Sequence, residues 1–258
     1  MPSTAETAPP IAARIQREAA AAARPRSVAD VRIGLTYTAV VLDDGGFGLA
    51  LTFLDGWERG CQAFGERESL IGRPAGALLE WLSSRIPVEA ALGLACANAL
   101  FNRPAPAQLA GDVLEQAGLR ESDRVVMVGH FRPIEKRLRA RVAELAIFER
   151  RRPDPGVQSA DEVFSALPQA DVALITSTAL LNHTLDPILQ AAAGCRQVVL
   201  LGASTPLAPA AFSDTPVSLL SGVVVREPEA VLQTVSQAGG MSVFKPYVDK
   251  VNQLVARD

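Results

Sequence analysis

Cysteine, histidine, basic clusters and long apolar runs are all scarce in this chain of 258 residues. The three cysteines, Cys61, Cys96 and Cys195, form no CxxC pair, so neither a structural zinc site nor a disulfide framework is expected. Three scattered thiols instead favour a reducing, cytoplasmic location. The only histidines are His130 and His183, which limits the side chains available for acid–base catalysis or metal binding.

Other absences exclude whole classes of protein. No apolar stretch reaches the ~18 residues of a membrane span, and the charged, alanine-rich start lacks the apolar centre of a secretory signal. A net charge of -3 without a basic cluster argues against nucleic acid as the partner. P-loop, nucleophile-elbow and HExxH motifs are missing, which argues against the corresponding nucleotide hydrolases, α/β-hydrolases and zinc proteases.

The second half of the chain alternates apolar strand patterns with helical ones. This alternation predicts βαβ units and a parallel sheet, hence an α/β fold with a Rossmann-like domain over residues 111–258. The predicted strands are 124–129, 142–148, 172–176, 198–201 and 219–225. The predicted helices are 134–140, 161–167, 185–193, 208–212 and 227–238. Residues 238–246 are predicted to form a plain loop, with a glycine-rich flap that carries Lys245 as the alternative.

The first half predicts a smaller α+β domain over residues 30–110, after an N-terminal tail and an alanine-rich helix within residues 1–29. Strands at 31–42 and 47–54 flank an Asp-Asp-Gly-Gly turn and form a hairpin. Helices are predicted at 75–82 and 88–101, and the second is apolar on all sides, so it should be buried. The apolar hairpin and the alanine-rich helix favour a homodimer.

Two of the predicted strands run directly into clusters of small polar residues. Ligands of open α/β sheets bind beyond the carboxyl ends of the strands. Capping of the next helix explains one polar residue in each cluster, with Pro206 in the first turn of a helix after the second cluster. The remainder predict a ligand site, formed by Thr176, Ser177, Thr178, Asn182 and Thr184 in one cluster and by Gly202, Ser204 and Thr205 in the other.

Gly129 and His130 lie in the turn that ends the predicted strand 124–129, the first strand of the α/β domain. This turn contains no GxGxxG motif. Glu149 follows Gly129 by twenty positions (149 − 129), the spacing of a ribose-binding acid in dinucleotide folds. A solvated or arginine-paired glutamate is the alternative. His130 is the best candidate for a general acid or base, and its alternative is a hydrogen-bonded or capping residue.

Several segments together resemble a family of uncharacterised proteins labelled as heavy-metal-chelation proteins. The resembling segments are residues 33–40, 91–98, 128–131, 148–150, 174–186 (LITSTALLNHTLD) and 200–206 (LLGASTP). The resemblance implies an enolase-N-terminal-like domain followed by a Rossmann-like domain, a cleft between them, and a link to metals or to making a chelator. We expect Asn98 either to face this cleft or to cap its helix.

The favoured hypothesis is a site for a small polar or anionic ligand in the interdomain cleft, in metal-linked metabolism, with catalysis left open. One alternative is direct metal binding through His130, His183 and Glu149, which makes a metal ion the candidate cofactor. Three scattered cysteines do not suit a thiolate trap for heavy metals. A second alternative is a nucleotide or S-adenosylmethionine site at Gly129 and Glu149, and a third is a non-catalytic sensor or partner protein.

Overall fold

The computed structural model of the protein describes residues 9–53, 69–150 and 154–256; Cys61 and the end of the predicted second hairpin strand lie outside these ranges. The strands are β1 (Val28–Ile33), β2 (Tyr37–Leu42), β3 (Phe47–Leu51), β4 (Leu109–Ala110), β5 (Arg124–Val128), β6 (Glu144–Glu149), β7 (Gln158–Ser159), β8 (Val172–Thr176), β9 (Gln197–Leu201), β10 (Leu219–Val225) and β11 (Val248–Leu254). The α-helices are α1 (Ile11–Ala23), α2 (Ala75–Leu79), α3 (Pro87–Phe101), α4 (Val113–Gln116), α5 (Arg132–Leu138), α6 (Val163–Ala166), α7 (Leu185–Ala191), α8 (Pro228–Ser236) and α9 (Met241–Phe244). Short 3₁₀ turns include Ser177–Leu180 and Pro209–Phe212.

The larger sheet has the strand order β4-β11-β10-β9-β8-β5-β6-β7. The six strands from β10 to β7 are mutually parallel, whereas β11 and β4 run antiparallel. The predicted α/β class and its parallel strands are therefore confirmed. Successive strands are added on opposite sides of β5, with β6 on one side and β8 on the other, so the order reverses between β5 and β8. In open α/β sheets this reversal opens a crevice at the carboxyl ends of the strands.

The smaller sheet is an antiparallel β1-β2-β3 arrangement, and it contains the predicted hairpin. The prediction of one continuous strand over residues 31–42 is wrong, because the chain reverses between β1 and β2. The N–H of Gly34 closes this turn by donating to the carbonyl of Tyr37 at 2.9 Å. A Cβ on Gly34 would lie 2.2 Å from the carbonyl oxygen of Val235, so this close approach to α8 needs glycine.

Helix α3 is buried around almost its whole circumference, as its uniform apolarity predicts. It lies against β3 at Gly48, where a Cβ would stand 1.9 Å from the carbonyl oxygen of Ala95. One continuous apolar core joins α3 and the hairpin to one face of the large sheet, through side chains such as Leu94, Val126 and Ile175. The small sheet is thereby held over the carboxyl ends of the large one.

Helix α1 bridges the two halves of the chain. The N–H of Ile11 donates to Oδ1 of Asp186 at 3.0 Å, on the first turn of α7. Ile15 and Ala19 are fully buried, so the apolar face of this helix packs within the chain. The homodimer and the domain limits stay predictions.

Two further differences from the sequence-based expectations lie near the C-terminus. Residues 238–246 contain the short helix α9 rather than a plain loop or an open flap, and the unpredicted strand β11 follows it. The strand β11 could not be predicted from the sequence, because its residues, VDKVNQL, show neither an apolar run nor a regular alternation of apolar and polar side chains. Within the described parts of the chain, no helix has the length and apolarity needed to cross a bilayer.

Candidate functional site

A cavity of about 710 Å³ opens at the carboxyl ends of β5, β6, β8 and β9. The hairpin closes its opposite side through Tyr37, Leu51 and Phe53. This is the position that the strand-end clusters predict for a ligand site. Of the residues singled out in the sequence, the structure brings nine to this cavity: Gly129, His130, Glu149, Thr176, Thr178, Asn182, Thr184, Gly202 and Ser204.

Hydroxyl and amide groups form one side of the cavity. Thr176 and Thr178 share a hydrogen bond of 2.9 Å between their Oγ1 atoms. The Oδ1 of Asn182 accepts from the N–H and from the hydroxyl of Thr184, at 3.2 and 2.6 Å. Asn182 thus stabilises the turn before α7, while Thr184 takes the N-cap position without a side-chain capping bond. Among the described residues, the Nδ2 of Asn182 makes no hydrogen bond, so it is available to a ligand.

Three predicted ligand-binding residues, Ser177, Thr205 and Asn98, point into the protein instead. Ser177 and Thr205 are fully buried and share a hydrogen bond of 2.8 Å between their hydroxyl oxygens. Asn98, also fully buried, donates through Nδ2 to the carbonyls of Leu49 and Ser204, at 2.7 and 3.2 Å. It therefore neither lines the cavity nor caps its helix. It joins α3 to the segment after β9.

Asn102, which the sequence analysis missed, has a similar role. Its Nδ2 donates to the carbonyls of Thr205 and Val223, at 2.9 and 3.3 Å, and its Oδ1 accepts from the N–H of Leu207 at 2.9 Å. These bonds hold residues 205–207 in a path that is not helical. The expectation that Pro206 lies in the first turn of a helix is therefore wrong, and the next helical turn begins at Pro209.

Charged groups form the other side, around His130. The ring Nε2 of His130 lies 2.6 Å from Oε2 of Glu135, and its Nδ1 lies 3.3 Å from Oδ2 of Asp154. An imidazolium can donate to both carboxylates at once. The hydrogen bond from His130, together with Arg139, lowers the pKa of Glu135 below its ordinary value. Because both ring nitrogens face carboxylates, His130 has the surroundings of an ion-paired residue.

Glu149 stands at the end of β6 and faces the cavity. Its Oε2 accepts from the backbone N–H of His130 at 3.0 Å, and its Oε1 accepts from the N–H of Arg150 at 2.7 Å. The carboxylate is therefore fixed in place by backbone donors.

The predicted metal ligands do not converge. His183 lies outside the cavity lining, and its Nε2 is 3.0 Å from the carbonyl oxygen of Ser84. Over residues 9–53, 69–150 and 154–256, no group of three or more His, Cys, Asp or Glu side chains is placed to hold a metal ion. Cys96 and Cys195 are buried away from the cavity, and burial raises the pKa of their thiols to about 12 and about 11. This donor set does not fit a directly bound heavy metal.

Two cavity glycines have left-handed backbone, Gly129 with φ 90° and Gly202 with φ 119°. The ring of Phe131 lies beside both. A Cβ on Gly129 would be 3.5 Å from Cε2 of Phe131 and 2.9 Å from Cβ of Thr176, and a Cβ on Gly202 would be 3.9 Å from Cε1 and Cζ of Phe131. The positive φ angles therefore account for glycine at both positions, and at Gly129 the close approach of Thr176 adds to this requirement. The ring of Phe131 would be in ordinary van der Waals contact with either added Cβ.

The sequence analysis also missed the apolar part of the cavity. Burial raises the pKa of Tyr37 to about 12, and its ring packs edge-on against Phe244, with ring centroids 5.1 Å apart. Aromatics make up only 5% of the chain, so their concentration at one cavity is informative. The position of Phe131 directly after a strand-end turn was the one available signal. The aromatic side chains lining the cavity are Tyr37, Phe53, Phe131, Phe148 and Phe164.

Comparisons with known proteins agree with this architecture. Two sequence models, both described as "Putative heavy-metal chelation", match residues 16–101 and 112–253. An uncharacterised protein of Methanocaldococcus jannaschii is 26% identical over 233 residues, covering 84% of this chain and 86% of its own.

Two crystal structures of proteins of unknown function share the fold. The protein from Desulfitobacterium hafniense has a TM-score of 0.79 and 24% identity, over 95% of this chain and 98% of its own. The protein from Pyrococcus horikoshii has a TM-score of 0.84 and 24% identity, over 95% and 100%.

Proposed function

The chain belongs to the family described as "Putative heavy-metal chelation", and from this membership we propose that its cavity binds a small, polar, ring-bearing organic compound in metal-linked metabolism. The family description supports a metal-related role. In this proposal the protein is linked to a metal only through its ligand. The ligand is a chelator, a metal cofactor or a precursor of one. We expect it to act in the cytoplasm.

One observation carries the proposal: a cavity at the strand-end crevice combines aromatic walls with fixed polar groups. Its volume of about 710 Å³ is in the range of small-molecule sites, which are mostly apolar with a few convergent polar groups. The polar groups here are the Nδ2 of Asn182, the hydroxyls of Thr176 and Thr178, and the carboxylate of Glu149. They would orient a ligand whose ring contacts the aromatic walls.

The charge of the lining refines the expected ligand. Two carboxylates, those of Glu149 and Asp161, line the cavity with one guanidinium, that of Arg150. The imidazole of His130, whose Nε2 faces Glu135, lines it as well. This lining favours a neutral or cationic polar ligand over an anion, so the anionic form of the sequence-based hypothesis is not retained. Direct chelation of a metal by protein side chains is likewise not retained, because no suitable donor group assembles among the described residues.

An adenosine-bearing ligand is the second candidate, and the position of Glu149 favours it. Counted from β5 as the first strand, the order β7-β6-β5-β8-β9-β10 corresponds to the 3-2-1-4-5-6 order of dinucleotide-binding sheets. Glu149 ends the second strand in that count, where such folds place the acid that accepts from ribose hydroxyls. Two backbone N–H groups, those of His130 and Arg150, fix its carboxylate at the cavity.

Native mass spectrometry with elemental analysis, on protein purified without chelators, tests the proposal. We expect an organic compound bound at up to one per chain, with any metal present in proportion to that compound. Asn182→Ala should lower the bound fraction, whereas Val243→Ala, an exposed substitution outside the cavity, should not. A stoichiometric metal without an organic compound, lost in His130→Ala, would instead establish direct metal binding.

A thermal-shift survey separates the remaining alternatives. Stabilisation by adenosine compounds that Glu149→Gln abolishes would favour the nucleoside candidate over other ring compounds. A ligand recovered chemically unchanged after prolonged incubation would favour a sensor over an enzyme. If no compound in a broad metabolite library stabilises the protein and none co-purifies with it, the proposed ligand site is wrong.

A further inference from the structure

We propose that Phe131 is the specificity-determining residue of the cavity: it offers its ring as a stacking platform and closes the strand-end turns to phosphate groups. The ligand class that follows is a ring-bearing compound without a phosphate or diphosphate at this point. The inference rests on the proposed function, because it concerns the ligand of the same cavity.

An aromatic ring of the protein lies beside the place where related folds hold a phosphate. In dinucleotide-binding sheets, the glycine turn after the first strand lets the backbone approach a pyrophosphate closely. Here Gly129 occupies that turn, and a Cβ built on Gly129 or on Gly202 would be in ordinary van der Waals contact with the ring of Phe131. The ring of Phe131 therefore borders both turns on the side of the cavity.

Several backbone donors near this turn are also bonded within the protein. Phosphate sites at such turns depend on N–H groups that point at the ligand. The N–H of Gly129 donates to the carbonyl of Phe148 at 2.8 Å, and that of His130 donates to Glu149 at 3.0 Å. The N–H groups of Ile134 and Glu135, in the first turn of α5, both donate to the carbonyl of Phe131 at 2.9 Å. Four donors that could hold an anion are thus satisfied internally.

Two backbone donors of the turn after β9 are bonded in the same way. The N–H of Gly202 donates to the carbonyl of Ser221 at 3.1 Å, and the N–H of Thr205 donates back to Gly202 at 3.0 Å. The first turn of α5 already carries the carboxylate of Glu135 beside His130. A phosphate placed there would meet an existing negative charge at close range.

What remains accessible is aromatic surface. Phe131 lines the cavity and is only partly buried, so part of its ring faces the ligand space. Phe164 is 45% exposed and lines the same cavity, and Tyr37 faces it from the hairpin side. Every aromatic ring has a flat π face that can stack on such surfaces, which makes this recognition tolerant of the type of aromatic ring.

The test measures binding of two sets of probes by protein-observed NMR. The ring probes are indole, caffeine and adenosine, and the phosphate probes are inorganic pyrophosphate and ADP. Adenosine and ADP form a matched pair, because they share base and ribose and differ only in the diphosphate. The variants are Phe131→Ala, Phe131→Leu and Phe131→Tyr. Leucine retains apolar bulk without a ring, and tyrosine retains the ring.

We expect at least one ring probe to bind the wild type at the cavity and ADP to bind no more tightly than adenosine. Phe131→Ala and Phe131→Leu should weaken ring binding about fivefold or more, and Phe131→Tyr should preserve it. ADP or pyrophosphate binding more tightly than every ring probe would overturn the role of Phe131 while leaving the cavity a ligand site. Unchanged ring binding in Phe131→Leu would overturn stacking. If no probe of either set binds the wild type, the proposed function falls together with this inference.

Discussion

The two sides of the cavity differ in the charge and in the burial of their polar groups. The side that follows β8 and β9 uses neutral hydroxyl and amide groups, several of them fully buried, such as Ser177 and Thr205. The side that follows β5 and β6 uses charged groups near the surface, centred on His130 and Glu135. Both sides carry polar residues at strand ends, and the sequence predicts both as parts of one ligand site.

The two sides differ in the free energy that is lost when a polar group loses its hydrogen-bond partner. A buried neutral polar group that loses its partner costs about 1–3 kcal/mol, because water cannot replace the partner. A charged group near the surface exchanges its partner for water, so exposed ion pairs contribute only about 0–1 kcal/mol. The neutral side should therefore govern stability, and the charged side should govern the response to pH and salt.

Asn102→Ala is the strongest test of the neutral side. The substitution removes bonds to the carbonyls of Thr205 and Val223 and to the N–H of Leu207. With these backbone groups left buried and unpaired, the free energy of unfolding should fall by about 2–4 kcal/mol, measured by urea denaturation. The loss should be the same at low and high salt.

Asn182→Ala is the matched control, since it removes the same side chain from a residue facing the cavity. Its partners belong to Thr184, where water can replace the amide, so the loss should stay below about 1 kcal/mol. Equal losses for the two variants would contradict the division of the neutral side into buried and cavity-facing residues.

Ser177→Ala and Thr178→Ala test the same division at adjacent positions. Ser177→Ala leaves the buried hydroxyl of Thr205 without its partner and should cost about 1–2 kcal/mol. Thr178→Ala should cost about 0.5 kcal/mol or less, because its partner Thr176 lines the cavity. The single variant Thr205→Val and the double variant Ser177→Ala/Thr205→Val complete the comparison. Because neither hydroxyl remains in the double variant, its loss of stability should be smaller than the sum of the two single losses. Full additivity would show that the bond contributes nothing.

The sequence was sufficient for the part of the fold that depends on local pattern. Apolar runs such as residues 172–175 have no polar face, so a strand covered on both sides suits them, and this pattern predicts the parallel sheet. Strand ends then predicted the location of the cavity. The break between β1 and β2 could not be predicted, because it depends on contact between Gly34 and Val235, far apart in sequence.

The orientation of individual polar side chains could not be predicted either, because it also depends on contacts between residues far apart in sequence. Ser177 and Thr178 are chemically similar neighbours, and only the distant Thr205 decides which of them is buried. His130 and His183 both follow strand ends, yet His183 follows the 3₁₀ turn Ser177–Leu180 and lies at Ser84, outside the cavity. Tyr37 and Phe131 meet at one cavity only through tertiary packing.

Glu135→Gln tests the charged side, and its expected effect is smaller than that of Asn102→Ala or Ser177→Ala. The pKa of Glu135 is lowered in the folded protein, so its ionised form adds stability above the ordinary carboxyl pKa, and this contribution is lost as pH falls through the folded-state pKa. The variant should be about 0.5–1 kcal/mol less stable near neutral pH, and the difference should shrink in acid and in high salt. Thermal unfolding of both proteins across pH measures it. Glu144→Gln, which removes a longer exposed ion pair of 3.7 Å with Arg124, is the control. A difference that persists unchanged in acid and high salt would mean that Glu135 acts through packing, and the charged side would then not differ from the neutral one.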